Sequence, residues 1–275
     1  MSPAPRTPRP RAYDPAKVRT ALEAELRVLR ERVNALCEGG NADEALAAPT
    51  RLGDWTVREL IVHIAAVLER LPRYLAEPAP DPAAPRVDLR SYVPLLRTAA
   101  ASVDEEAREA TAAGAEPRAV ADRLNTAVDR LTEAAAADPA TVITSRFGPM
   151  TVADFLVTRL LEAVVHADDL AAATGVPITH DRQALAAVTR LLADALAARA
   201  PGGSVEVRVP PFAVIQCVEG PRHTRGTPPN VVETDPLTWI RLATGRLAWA
   251  AAVEEALVSA SGERADLSAQ LPLLS

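Results

Sequence analysis

Residues 159–169 read Arg-Leu-Leu-Glu-Ala-Val-Val-His-Ala-Asp-Asp and place Glu162 and His166 four positions apart. On a helix that spacing stacks two side chains on one face, with Cβ atoms about 5–6 Å apart. A helical wheel drawn from Phe155 puts Val152, Phe155, Glu162 and His166 on one side, so a carboxylate and an imidazole look inward among apolar neighbours. Ionisable groups in such a place need a partner. One metal ion would satisfy both and would call for at least a third protein ligand from another helix, for which His63 is the best candidate in the sequence. The ordinary use of a Glu and a His four apart is a surface pair worth a few tenths of a kcal/mol, roughly, so the pattern points to metal only if the chain brings His63 alongside.

The helix carrying this pair opens on Met150-Thr151-Val152-Ala153-Asp154-Phe155, and the same grammar stands earlier at Trp55-Thr56-Val57-Arg58-Glu59-Leu60. There Thr56 and Glu59 spell a capping box and Trp55 is set to staple onto Leu60. The stripe Leu60, Ile64, Val67, Leu71 and Leu75 continues that helix, with His63 on its flank roughly 100° from the centre of the stripe. Upstream, Asp14-Pro15 caps a helix in which Val18, Leu22, Leu26, Leu29, Val33 and Leu36 recur at three and four until Gly39-Gly40. Glu77 to Asp88 is a Pro/Ala linker, and alanine-rich amphipathic segments follow near 89–113 and 117–137. Four main helices with such connections predict an antiparallel bundle, a fold whose core hosts Glu/His metal sites.

At 275 residues the chain is long enough for two domains, each with its own core. Aromatic residues are only 3%, so those cores must be built from Leu, Val and Ala, which favours helices. A net charge of −6, with no basic cluster interleaved with aromatics, argues against nucleic acid and against a membrane surface as partners. Cys37 and Cys217 stand far apart and outside any Cys-x-x-Cys pair, which excludes a disulfide framework or thiolate zinc knuckle and fits a cytoplasmic location. The Pro- and Arg-rich first thirteen residues have no signal-like apolar core and read as a disordered tail, and no apolar run approaches the roughly 18 residues that span a bilayer.

The C-terminal part changes character. A helix is expected from about Asp181 to Ala198, closed by Pro201-Gly202-Gly203. Strand patterns follow at Val205, Val207 and Val209, at 212–218 and at 231–233, with a loop at 220–229. Asp235-Pro236 caps a helix containing Trp239 and Ile240, and the end of the chain reads as strand, turn and final helix. The expected organisation is a tail at 1–13, a helical bundle at 14–176 and a small α+β domain at 177–275.

Taken together, Trp55-Thr56-Val57-Arg58-Glu59-Leu60 with His63, and Arg159-x-x-Glu162-x-x-x-His166-x-x-Asp169, resemble the DinB-like, mycothiol-dependent maleylpyruvate isomerase family of actinobacteria. The resemblance implies a four-helix bundle holding a divalent metal, usually zinc, through His63, Glu162 and His166. The stretch Glu233-Thr234-Asp235-Pro236 to Gly245-Arg246, with the Ser261-Gly262-Glu263 turn, is similar to bacterial sterol-carrier-protein-like domains, which follow the bundle in that family.

Around this site each residue has competing uses. Asp169 is either an acceptor that fixes an imidazole tautomer or a solvated acid near a helix end. Arg159 could pair with Glu162 or meet an anionic substrate, and a solvated arginine is the simpler reading. Glu59 stands four residues before His63 and imitates the ligand pair, but its capping role is the better one. His180 and His223 read as loop residues, and Arg222, Arg225, Arg241 and Arg246 as carboxylate binders or as solvated surface. Two functions follow. One is a metal-dependent isomerase or S-transferase that uses a small thiol, mycothiol by the resemblance, on a small electrophilic substrate. The alternative is a carrier of an apolar or acyl ligand through the C-terminal domain, with a structural or vestigial ion.

Overall fold

Asp14 sets the first helix as its spacing predicts, its carboxylate accepting from the N–H groups of Ala16 and Lys17 at 3.0 and 3.3 Å. The structure, a computed structural model, describes residues 11–97, 116–220 and 228–274. From Asp14 runs α1 (Pro15–Glu38), followed by a short α2 (Ala42–Ala47) that the sequence pattern did not announce. Of the expected tail, residues 1–10 lie outside the described residues, while Arg11 pairs with Asp194 at 2.9 Å and Tyr13 packs against the core.

Helix α3 (Val57–Leu68) starts on a complete capping box. The single helix expected through Leu75 is instead broken at Glu69 and resumes as α4 (Arg70–Ala76). Pro72 explains the break, because it has no N–H and its ring crowds the carbonyl one turn back. A helical stretch at 89–97 (α5) is described and the rest of that predicted segment, 98–113, is not. Helix α6 (Pro117–Ala134) leads to a hairpin, β1 (Val142–Ser145) and β2 (Gly148–Thr151), which runs directly into α7 (Val152–Thr174). This hairpin was not anticipated. It matters for the site because its two-residue turn presents Arg146 and Phe147, with Gly148 at φ +124 carrying a conformation unfavourable to other residues.

Helices α1 and α3 each pack on both α6 and α7, so these four form the bundle, and its interior is the Leu, Val and Ala stripe read from the sequence. Gly175, in the left-handed region at φ +68, ends α7. Asp181 then caps α8 (Arg182–Arg199), which packs on α1 and α7 on one side and on the C-terminal sheet on the other.

That sheet has the order β4-β3-β5-β6, from β3 (Val205–Val209), β4 (Ala213–Cys217), β5 (Val231–Thr234) and β6 (Val258–Ser261). β3 pairs antiparallel with β4 and parallel with β5, and β5 pairs antiparallel with β6. Val205, Val207 and Val209 are fully buried, as their alternation requires. Between β5 and β6 lie α9 (Pro236–Ala243) and α10 (Trp249–Glu254), with the Trp239 indole donating to Thr189 O of α8 at 3.2 Å. The expected final helix is absent. One turn forms, with Leu271 N donating to Leu267 O, and Pro272 stops it, since the residue before a proline is driven out of the α region. The chain end instead donates from Leu273 and Leu274 to Ala243 O at the end of α9. Both cysteines are free, and no helix among the described residues is long and apolar enough to cross a membrane.

Candidate metal centre

His63 of α3 and the Glu162/His166 pair of α7 meet between the two helices, with one ligand atom from each lying within 4.8 Å of the other two. His166 Nε2 stands 3.1 Å from Glu162 Oε2, and the His63 and His166 rings pack edge to face at 4.9 Å. His63 is 6% exposed and His166 7%, so the flank position of His63 turns inward. Trp55, the residue before the cap of α3, packs its ring on His63 at 5.0 Å. The donor set suits a divalent ion of zinc type, being two imidazoles and one carboxylate at the slack expected of ligand atoms that close to roughly 3–4 Å around an ion.

The surroundings fix which atoms face the centre. Asp169 Oδ2 lies 3.0 Å from His166 Nδ1, so that nitrogen is engaged and Nε2 is left to the centre. Arg159 is fully buried. Its guanidinium donates to Val67 O at 3.1 Å, Tyr92 Oη at 3.0 Å and Thr158 Oγ1 at 3.2 Å, lies over the Phe155 ring, and puts Nη2 3.7 Å from Glu162 Oε1. The solvated reading of Arg159 is therefore wrong. Periodicity could not show that a carbonyl in the last turn of α3 and a tyrosine of α5 would supply acceptors for a buried guanidinium.

Electrostatics follow from this packing. Burial, then the neighbouring His166, push the His63 pKa down to about 3, so its imidazole is neutral and its lone pair available. Burial disfavours ionisation of Glu162, but its hydrogen bond with His166 and the charge of Arg159 outweigh that and hold the carboxyl well below the ordinary range. For His166 burial again opposes the charge, while Asp169 and Glu162 raise its pKa.

Glu59 does not join the cluster. Its Oε2 accepts from Thr56 N at 2.6 Å while its own N–H donates to Thr56 Oγ1 at 3.3 Å, the reciprocal box expected of it. His180 sits in the loop before α8 as expected, but its side chain is buried there against Glu25, Nδ1 to Oε2 2.9 Å. Arg241 and Arg246 bind carboxylates, and these belong to the protein: Arg241 is bidentate to Asp168 at 2.6 and 2.9 Å and Arg246 to Asp169 at 3.0 and 3.2 Å. Arg51, before α3, bridges to both aspartates. Asp168 and Arg51 were not singled out in the sequence, where only the adjacent acids at the end of the α7 motif hinted at a second cluster. His223, Arg222 and Arg225 lie outside the described residues.

The three candidate ligands form part of the wall of a cavity of about 600 Å³. Trp55, Val67, Leu96, Phe147, Leu161 and Val165 give it apolar walls, Arg70 and Arg146 add positive charge, and Thr244, Gly245, Arg246 and Leu274 bring the C-terminal region to its rim.

A family model described as the mycothiol maleylpyruvate isomerase N-terminal domain matches residues 22–171, and one described as the bacterial SCP ortholog matches residues 181–273. Two solved structures are similar over nearly the whole chain: the crystal structure of the mycothiol-dependent maleylpyruvate isomerase, and that of a variant of it with one histidine replaced by alanine. Each is 18% identical, covers 90% of this chain and 93% of its own, and superposes with a TM-score of 0.58, a likeness of fold. No curated protein matches the chain by sequence.

Proposed function

The chain belongs to the mycothiol maleylpyruvate isomerase N-terminal domain family, and on that premise we propose that it is a metal-dependent enzyme using a small thiol, mycothiol, for isomerisation or S-transfer on a small electrophilic substrate. The observation that carries this reading is the convergence of His63, Glu162 and His166 in the wall of one cavity that is also lined by the C-terminal region. In it those three residues hold a divalent ion, and zinc is the ion that two imidazoles and a carboxylate suit best. An ion held there would supply Lewis acidity that favours the thiolate of a bound thiol, the form that attacks an electrophilic carbon. The residues do the rest. Neutral His63 offers a lone pair, Asp169 orients His166, and His166 together with Arg159 keeps Glu162 ionised. The apolar wall surrounds the reacting atoms, and Arg70 and Arg146 line the same cavity.

The rival reading, a carrier of an apolar or acyl ligand, draws on the match at 181–273. Against it stands the sheet's inner face, where Val205, Val207 and Val209 are fully buried in the protein's own core. Calorimetric titration of mycothiol into zinc-loaded and chelator-treated protein, with an assay of maleylpyruvate isomerisation, tests the enzyme reading. Zinc-dependent thiol affinity and turnover are expected. Equal affinity in the two forms, or full activity without metal, would overturn it.

A further inference from the structure

Helix α7 carries two adjacent acids just past His166, and both meet arginines of the C-terminal region, but only one of them also touches a candidate ligand. Asp169 is completely buried. Its Oδ2 accepts from Arg246 Nη2 at 3.0 Å and lies 3.0 Å from His166 Nδ1, and its Oδ1 accepts from Arg246 Nε at 3.2 Å and Arg51 Nε at 2.7 Å. Asp168 is 4% exposed and is held in the same manner by Arg241, with Arg51 bridging; its described partners are these two arginines. Two ion pairs of similar geometry thus join α7 to the C-terminal region, and one of them continues to the imidazole.

The segment that delivers Arg246 is itself braced. Arg246 N donates to Arg241 O at 2.8 Å, its Nη1 donates to Thr244 O at 2.7 Å, and Gly245 takes φ +75 beside it, so the guanidinium has little freedom to leave Asp169. A bidentate guanidinium fixes the plane of the carboxylate it grips. A carboxylate so fixed holds the ring of His166 with Nδ1 toward it and Nε2 toward His63 and Glu162.

We propose that Arg246 is a positioning residue for the metal centre: through Asp169 it sets the orientation of His166, so the C-terminal region completes a site whose ligands all come from the bundle. The inference rests on the metal reading given above. It makes the Arg246–Asp169 pair, and not docking as such, the element linked to metal binding, each favouring the other by the same factor. Arg241 docks the same two regions and has no such consequence.

The pair of arginines supplies the test, made on the full chain with zinc alone as the probe. Zinc affinity, read by competition with a chromophoric chelator, is compared for the wild type, Arg246→Leu, Arg246→Lys and Arg241→Leu. Arg246→Leu is expected to weaken zinc binding by about 10- to 100-fold, the usual effect of losing the partner that orients a ligand. The cobalt(II)-loaded form should show shifted visible bands in that variant. Arg246→Lys, which keeps a cation beside Asp169, should recover part of the loss, and Arg241→Leu should stay within about threefold of the wild type. Unchanged affinity in Arg246→Leu, or an equal loss in Arg241→Leu, would overturn the proposal and reduce Arg246 to a docking contact. If Arg246→Leu does not fold, Arg246→Lys decides: affinity and cobalt bands identical to wild type refute the geometric role, whereas a partial loss supports it. A wild type that takes up no zinc is a different failure, because it removes the metal reading itself.

Discussion

Two Glu-x-x-x-His pairs face each other across the bundle, Glu59/His63 on α3 and Glu162/His166 on α7, and only one of the two glutamates reaches the centre. Residue type and spacing are identical, so neither explains the difference. Position within the helix does. Glu59 is the third residue of α3, where backbone N–H groups have no helical acceptor, and its carboxylate turns back to Thr56. Glu162 stands near the middle of α7, where every N–H is already bonded within the helix, so its carboxylate finds His166 and Arg159 instead. A helix start thus converts a ligand pattern into a cap, and a helix interior leaves it available.

The largest effect expected from this comparison is on metal retention. His166→Ala removes one of the two candidate ligands on α7 and should lower zinc affinity by more than about 100-fold, beyond what loss of an outer partner causes. Glu162→Ala should do likewise, and both should abolish mycothiol-dependent turnover while circular dichroism reports an intact bundle. Retention of stoichiometric zinc by either variant after dialysis against a weak chelator would break the distinction between the two pairs.

The two histidines should also respond to pH in opposite senses in chelator-treated protein. His63 has a folded pKa of about 3, below its ordinary 6.5, so the unfolded chain binds the extra proton and stability is lost as pH falls from about 6.5 toward 3. His166 is shifted upward, so its contribution is fully present below about 6.5 and is lost as pH rises through its folded value. Each slope is at most about 1.4 kcal/mol per pH unit. Melting temperatures across pH 4 to 9 should therefore peak near neutrality. The zinc-induced rise should grow with pH, because His166 would have to give up its proton to hold an ion. A zinc effect that shrinks with rising pH would contradict the assignment of His166.

What could be read from the sequence was what short range decides. Asp14, Thr56 and Thr151 announce their helices because a cap acts within three residues, and the stripes of α1, α3 and α7 follow from the period of the helix. His63, Glu162 and His166 are joined by the motif once the family is seen. The charge seam of Arg51, Arg241 and Arg246 on Asp168 and Asp169 is of another kind. Its partners lie far apart in the chain, and nothing in their spacing distinguishes them from solvated surface. The same holds for Arg159, whose burial depends on acceptors from α3 and α5. The β1–β2 hairpin was hidden for a related reason: its strands are four residues each, too short for an alternation to stand out.

The smallest expected effect is the one that isolates position from chemistry. Glu59→Ala removes half of the capping box and should cost about 1 kcal/mol, because the N–H of Thr56 loses its acceptor while Thr56 Oγ1 continues to cap Glu59 N. Zinc content and affinity should be unchanged, since its carboxylate is occupied at the helix start. Urea unfolding of the zinc-free form gives the first quantity and chelator competition the second. Thr56→Ala provides the companion, with a similar stability loss by removing the other half of the box and again no change in zinc. A drop in zinc affinity for Glu59→Ala but not for Thr56→Ala would show that the carboxylate leaves its cap when metal enters, and position in the helix would then no longer separate the two pairs.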